Sequence, residues 1–166
     1  TSAANANQRA TQVADQLADG TLERHNYTGA NLAGLNLGAS TLADNSFLKG
    51  DLTGTNLEYS DLADTSWTAA TLVGADFTGA DLSRADFLDT NAVNTNFTGA
   101  ELLDADFTGA HLDGATFTGA YLGGADLSRT DLSAVDMAGA RYTATTKWPA
   151  GFDPDAAGCV ETRTDL

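Results

Sequence analysis

The sequence predicts an all-β solenoid whose chain coils with four sides to each turn. Three observations carry this prediction. A large apolar residue recurs every five positions from Leu22 to Tyr142 without an insertion, 11 of the 17 glycines fall two positions after it, and the large aromatic residues recur every ten. A period of five suits neither ordinary element. On a helix it advances about 140° per repeat and smears the apolar residues around the axis, and on a strand an odd period changes face each time. The chain must therefore be reset every five residues. The glycines sit where a corner needs an uncrowded Cα.

Residues 1–19 come first. Ala6, Ala10, Val13, Ala14 and Leu17 share one helical stripe with Gly20 just beyond it, so a short α-helix is expected to cap the open end of the first coil. A helix that binds a partner is the alternative. An unprotected end would expose strand edges and invite self-association.

Residues 20–144 hold the repeats. The central position is large in every pentad except at Ala92, and the position two before it is mostly Ala, so both are expected to face inward. Each pentad is too small to bury anything alone, whereas stacked coils bury a continuous core. The aromatic alternation sets the number of sides. Four sides stack Tyr27, Phe47, Trp67, Phe87 and Phe107 in one column and Leu37, Leu57, Phe77, Phe97 and Phe117 in the opposite one, while three sides would mix aromatic with leucine. Like residues stacked on like can offset and pack their faces. The 25 pentads then make about six coils, a rod roughly 30 Å long at the ~4.8 Å strand spacing. Ala92 leaves either a cavity or a gap that Phe87, Phe97 and Leu112 crowd to fill.

Residues 145–166 break the register and hold both prolines, Pro149 and Pro154. They are expected to form an irregular cap, with Trp148 and Phe152 over the last coil. Asp153, Pro154 and Gly158 fit the cap, first position and stop of a single helical turn.

Composition narrows the function. The net charge is −15 with only eight Lys and Arg, which argues against direct binding of nucleic acid or an anionic membrane surface, since phosphate contacts need clustered bases. No apolar run approaches transmembrane length, so membrane insertion is not expected. The lone Cys159 can form no internal disulfide. The chain begins at Thr1, so a targeting segment could already have been removed, and the compartment stays open between the cytoplasm and export.

The pentads Ala-Asp-Phe-Thr-Gly at 75–79 and 105–109, and Ala-Asp-Leu-Ser-Arg at 80–84 and 125–129, match the A(D/N)LXX signature, and the chain resembles the pentapeptide-repeat proteins. The resemblance implies a right-handed quadrilateral β-helix. The segment 142–158 is similar to the C-terminal segment of cyanobacterial members. It also implies two functional groups: members of unknown function, some exported to the thylakoid lumen or periplasm, and members that inhibit or protect DNA gyrase by imitating duplex DNA.

Residues 20–144 carry 17 acids and 5 bases, about one net charge per 2.5 Å of rod against one per ~1.7 Å for duplex DNA. Ten of the acids immediately precede the central residue, a position also filled by Asn. Asp and Asn both accept local backbone hydrogen bonds, so that preference can serve the turn instead of a partner. One cluster has a sharper reading. Four-sided coiling brings Asp61, Asp64, Asp81, Asp86, Asp89, Glu101, Asp104, Asp106 and Asp126 onto two adjoining sides, the candidate surface for a basic protein partner. The alternative is a solvated face. Against gyrase inhibition, no loop interrupts the register and the tail offers no long amphipathic helix for dimerisation; a monomer is expected. His25 and His111 lie far apart and Cys159 has no His nearby, so no catalytic, cofactor or metal residue is nominated. The expected role is a non-enzymatic structural or interaction module without a cofactor, with the gyrase-directed DNA mimic as the alternative.

Overall fold

The computed structural model describes residues 26–163. The capping helix expected over 1–19 lies outside them. Within them, parallel bridges join residues twenty apart, from Asn26–Ser46 through Asp106–Asp126. Twenty residues are four pentads, so the chain closes one coil every four sides. The sides are taken here in chain order, by their inward columns. The first holds Leu42, Leu62, Leu82, Leu102 and Leu122; the second Phe47, Trp67, Phe87, Phe107 and Leu127. The third holds Leu52, Leu72, Ala92, Leu112 and Leu132; the fourth Leu57, Phe77, Phe97, Phe117 and Met137. All are buried.

Each side is one short extended stretch and one turn. The carbonyl of the central residue accepts from the amide three residues on, as in Ala85 N–H to Leu82 O at 3.0 Å, and the next coil takes the remaining groups, as in Leu82 N–H to Glu101 O at 2.7 Å. The turn places its third residue at positive φ, which is why glycine collects there. Where a side chain stands in that position, as at Asp64, Arg84 and Asp104, φ is still 56–58°. The ladder overrides the local cost.

The two aromatic columns face each other across the core. Along the second side Phe47 stacks on Trp67 at 4.4 Å and Phe87 on Phe107 at 4.7 Å, while Phe97 on the fourth side meets Phe87 and Phe107 edge-on at 5.6 and 5.7 Å. Such pairs add about 0.5–1.5 kcal/mol each beyond area burial. The rings beside Ala92, Phe87 and Phe97 at 5.6 Å, keep the spacing seen one coil on, where Phe107 meets Phe117 at 5.6 Å. The aromatic neighbours have not crowded inward.

Thr or Ser replaces Ala at several small inward positions, and each hydroxyl satisfies a buried carbonyl. Thr55 donates to Leu32 O at 2.9 Å, Ser60 to Leu37 O at 3.0 Å and Thr95 to Leu72 O at 2.7 Å. Trp67 Nε1 donates to Thr65 Oγ1 at 2.8 Å. Unmade, each such bond would leave a buried polar group costing about 1–3 kcal/mol.

The C-terminal segment, expected to leave the register as an irregular cap, winds once more around the axis with shifted spacing. Asp126 pairs with Lys147, twenty-one residues on. The strands β1 (Arg141–Tyr142) and β2 (Val160–Glu161) pair in parallel, with Arg141 opposite Val160 nineteen residues on. Trp148 and Phe152 stack at 5.1 Å and pack against the core from a half-buried position. Asp153 accepts from the amides of Asp155 and Ala156 at 3.1 Å and its carbonyl from Ala157 at 3.1 Å, which makes a single turn and no helix.

Candidate interaction surface

The position before each central residue faces outward, and its Asp and Asn side chains bond locally. Asp81 Oδ1 accepts from Ser83 N–H at 3.0 Å, Asp86 from Leu88 at 2.9 Å and Asp106 from Thr108 at 2.8 Å; Asn91 and Asn96 do the same for Val93 and Thr98. The oxygen common to both residue types closes the turn. Glu101 stands in the same position and makes no such bond among those formed by the described residues.

Stacking orders the candidate acids into columns. On the first side Asp61 bridges to Asp81 and Asp81 to Glu101; on the second, Asp86 bridges to Asp106 and Asp106 to Asp126. At the corners, Asp64 and Asp104 flank Arg84 on the first side, and Asp89 lies on the second, where a Cβ at Gly109 one coil on would collide with its carboxylate. Five of the six column acids thus repeat at strand spacing as turn-closing aspartates. Glu101 is the sixth.

Bases interrupt these columns at three points. Arg84 forms a two-pronged pair with Asp64, Nε to Oδ1 at 2.7 Å and Nη2 to Oδ2 at 2.5 Å, and holds the Asp64 carboxyl below its ordinary range. Lys147 closes the second-side column by reaching Asp126 at 2.8 Å. Its hydrogen bond, with that of Ser128, pulls the Asp126 carboxyl down to about 2. Arg141 closes the first-side column from beyond Tyr121, lying over that ring at 5.2 Å and 3.5 Å from Glu101. Sequence reasoning missed these bases. The signal was a base one coil from an acid, twenty residues for Arg84 and twenty-one for Lys147, or two coils from it, forty residues for Arg141, readable only once the coil length was fixed. Asp61, Asp81, Asp86, Asp89, Asp104 and Asp106 form no ion pair with a described residue.

The remaining candidates lie elsewhere. His111 is exposed on the third side and His25 is outside the described residues. Cys159 is buried with Sγ 3.7 Å from Met137 O, and burial pushes its thiol up to about 11. It is a protonated core residue at neutral pH. Among the described residues no group of three or more His, Cys, Asp or Glu is placed to hold a metal ion, and no helix is long and apolar enough to cross a membrane.

The fold and its outward columns define a class: a parallel β-solenoid with an aromatic and leucine interior and a patterned polar exterior. A pentapeptide repeat region matches residues 21–97, and pentapeptide repeats match residues 110–141. The chain belongs to the pentapeptide-repeat family. A pentapeptide repeat protein from the Arabidopsis thaliana thylakoid lumen is similar in structure, with 26% identity and a TM-score of 0.53 over 64% of this chain and 70% of that one. QnrB1, a plasmid-mediated fluoroquinolone resistance protein, has 19% identity and a TM-score of 0.54 over 83% of this chain and 80% of its own. That likeness is one of fold alone. A pentapeptide repeat protein from Nostoc PCC 7120 shares 26% identity over 92% of this chain and 94% of its own, with a TM-score of 0.35. No curated protein matches the sequence.

Proposed function

We propose that this protein is an interaction module whose first and second sides present their acid columns to a basic surface of another protein. The reading takes the coil as right-handed, of about six turns, closed by residues 1–19 at one end and 145–166 at the other. One observation carries it. The turn needs an Asx oxygen, which asparagine supplies as well as aspartate at Asn91 and Asn96, yet these two sides carry Asp81, Asp86 and Asp106 in that role. Glu101 adds a charge that closes no turn. The charge on these sides therefore exceeds what folding asks of it. Stacked carboxylates repel, and a basic partner relieves that repulsion in a salt-dependent way.

The test is a capture experiment from the source cell with the wild-type chain and with Asp81→Asn, Asp86→Asn, Glu101→Gln and Asp106→Asn combined. The amides preserve the turn bonds, so the melting temperature should hold within a few degrees while the captured partner is lost. A partner retained by the variant sinks the reading. The second reading, imitation of duplex DNA before DNA gyrase, draws on the same columns. A supercoiling assay unchanged by micromolar protein removes it.

A further inference from the structure

The middle coils and the C-terminal segment are joined to their neighbours differently. In a middle coil the central amide of every side bonds the next coil: Leu82 to Glu101 O, Phe87 to Asp106 O, Ala92 to His111 O and Phe97 to Thr116 O, at 2.7–2.9 Å. In the last full coil Leu122 N–H reaches Arg141 O at 2.7 Å and Leu127 N–H reaches Lys147 O at 2.8 Å, but Leu132 N–H and Met137 N–H donate to no described backbone group.

Residues 143–163 lie over that coil and grip it at two places. At one, Lys147 N–H donates to Ala125 O and Thr146 Oγ1 to Leu122 O. At the other, Gly158 O accepts from Gly139 N–H, while Val160 and Thr162 donate to Ala140 O and Tyr142 O. Between these anchors, residues 148–157 make no described backbone bond to the coil beneath. Phe152 N–H goes to Pro149 O, Ala157 N–H to Asp153 O and Cys159 N–H to Pro154 O, so the span bonds within itself. A groove of about 340 Å³ lies between residues 149–152 and 130–133. Of the apolar side chains in 143–163 only Cys159 is buried; Trp148, Phe152 and Ala157 are half-buried. Among the described residues this segment has a coil on one face only, where a middle coil has one on each. Little enclosed apolar surface and a gap in backbone bonding mark a segment that opens at lower free energy than the body.

We propose that residues 143–163 form a strap that lifts from the solenoid as one unit while the coils beneath stay closed. The segment is joined internally. Trp148 stacks on Phe152 at 5.1 Å, and the turn from Asp153 to Cys159 is closed by its own backbone, so the two anchors leave together. Lifting breaks the Tyr142 O–H bond to Asp155 and bares Cys159, Met137 and the amides of Leu127 and Gly139. Cys159 Sγ rests 3.7 Å from Met137 O when the strap is down. As the chain's one cysteine, it reports the opening directly. The end of the rod is thus closed reversibly, whether or not a partner reads the acid columns.

The test uses the full chain in its native state with dithiobis(nitrobenzoate), whose disulfide the bared Cys159 thiolate attacks, releasing one coloured nitrothiobenzoate per opening trapped. Trp148→Ala, which loosens the strap, should speed labelling about tenfold or more. Phe87→Ala, which weakens the middle coils, should change it less than about twofold. If the thiol were bared only by global unfolding, Phe87→Ala would instead speed labelling at least about a hundredfold. Hydrogen exchange of the wild type gives a readout independent of either variant: the Gly139, Lys147, Val160 and Thr162 amides should share one protection factor, at least about tenfold below that of Leu82 and Phe97. Val160 as protected as Leu82, Lys147 and Val160 differing by more than about tenfold, or labelling sped more by Phe87→Ala than by Trp148→Ala would each overturn the inference.

Discussion

In the middle coils Phe47, Trp67, Phe87 and Phe107 stand fully buried in one column, each against the ring twenty residues away. In the last coil Trp148 and Phe152 lie half-buried, and the spacing to the coil before is twenty-one residues on the second side and nineteen on the first. The same chain thus packs by strict repetition in one region and by local improvisation in the other. Where the register holds, successive coils bond backbone to backbone, as Leu82 N–H does to Glu101 O, and the turn amides are closed by Asx side chains, as Ser83 N–H is by Asp81. Where it slips, a groove opens on the third side. Rigidity and unused bonding capacity are divided between two parts of one solenoid.

The largest expected effect tests the packing contrast. Phe87→Ala should cost about 3–5 kcal/mol in urea denaturation, because it empties a site enclosed by Trp67, Phe77, Phe97 and Phe107. Trp148→Ala, although it removes a larger side chain, should cost no more than about half of that. Equal losses would mean the last coil is as tightly built as the middle.

A smaller effect separates two corners of the regular region. Gly99 and Gly109 both hold positive φ, 64° and 73°, but a Cβ at Gly99 meets nothing and one at Gly109 meets the Asp89 carboxylate. Gly99→Ala should cost about 1 kcal/mol for the backbone alone and Gly109→Ala about 2 kcal/mol. In an Asp89→Ala background the two costs should converge, which a double-mutant cycle would read directly.

The smallest effect concerns the tie between the regions. The Asp126 carboxyl is held down at about 2 by Lys147 and Ser128, so its contribution is complete above the ordinary carboxylate range and lost as pH falls through about 2. Lys147 is mostly exposed, so water screens the tie and keeps it weak. Lys147→Met should lower the melting temperature slightly at pH 6 and leave it unchanged near pH 1.5.

Much of this architecture was legible because each inward residue is one of many equivalents. Leu22 to Tyr142 repeat the same instruction, and the alternation of Phe with Leu carries the coil length. The dual use of Asp and Asn was legible as well, since both carry the oxygen that Ser83, Leu88 and Val93 amides require. What could not be read depends on single residues meeting across coils. Arg84 looks like an ordinary corner base until the twenty-residue offset sets it on Asp64. Thr95 looks like a variant of Ala until Leu72 O is found above it. The last coil was hidden because one added residue before Lys147 and the lost pairing of Phe152 leave no period to detect.

The twenty-residue bridge has a consequence for how such a chain can change over time. Inserting or deleting one pentad would leave every local turn intact yet rotate everything downstream by a quarter turn, carrying Asp86 and Asp106 to a different face from the one they now share. Four pentads at once would only lengthen the rod, by about one strand spacing of ~4.8 Å. Growth by whole coils keeps each outward column continuous, and growth by fragments scrambles it. The same arithmetic governs the interior, where a single added pentad would set aromatic rings on leucines, so inside and outside enforce one rule of growth.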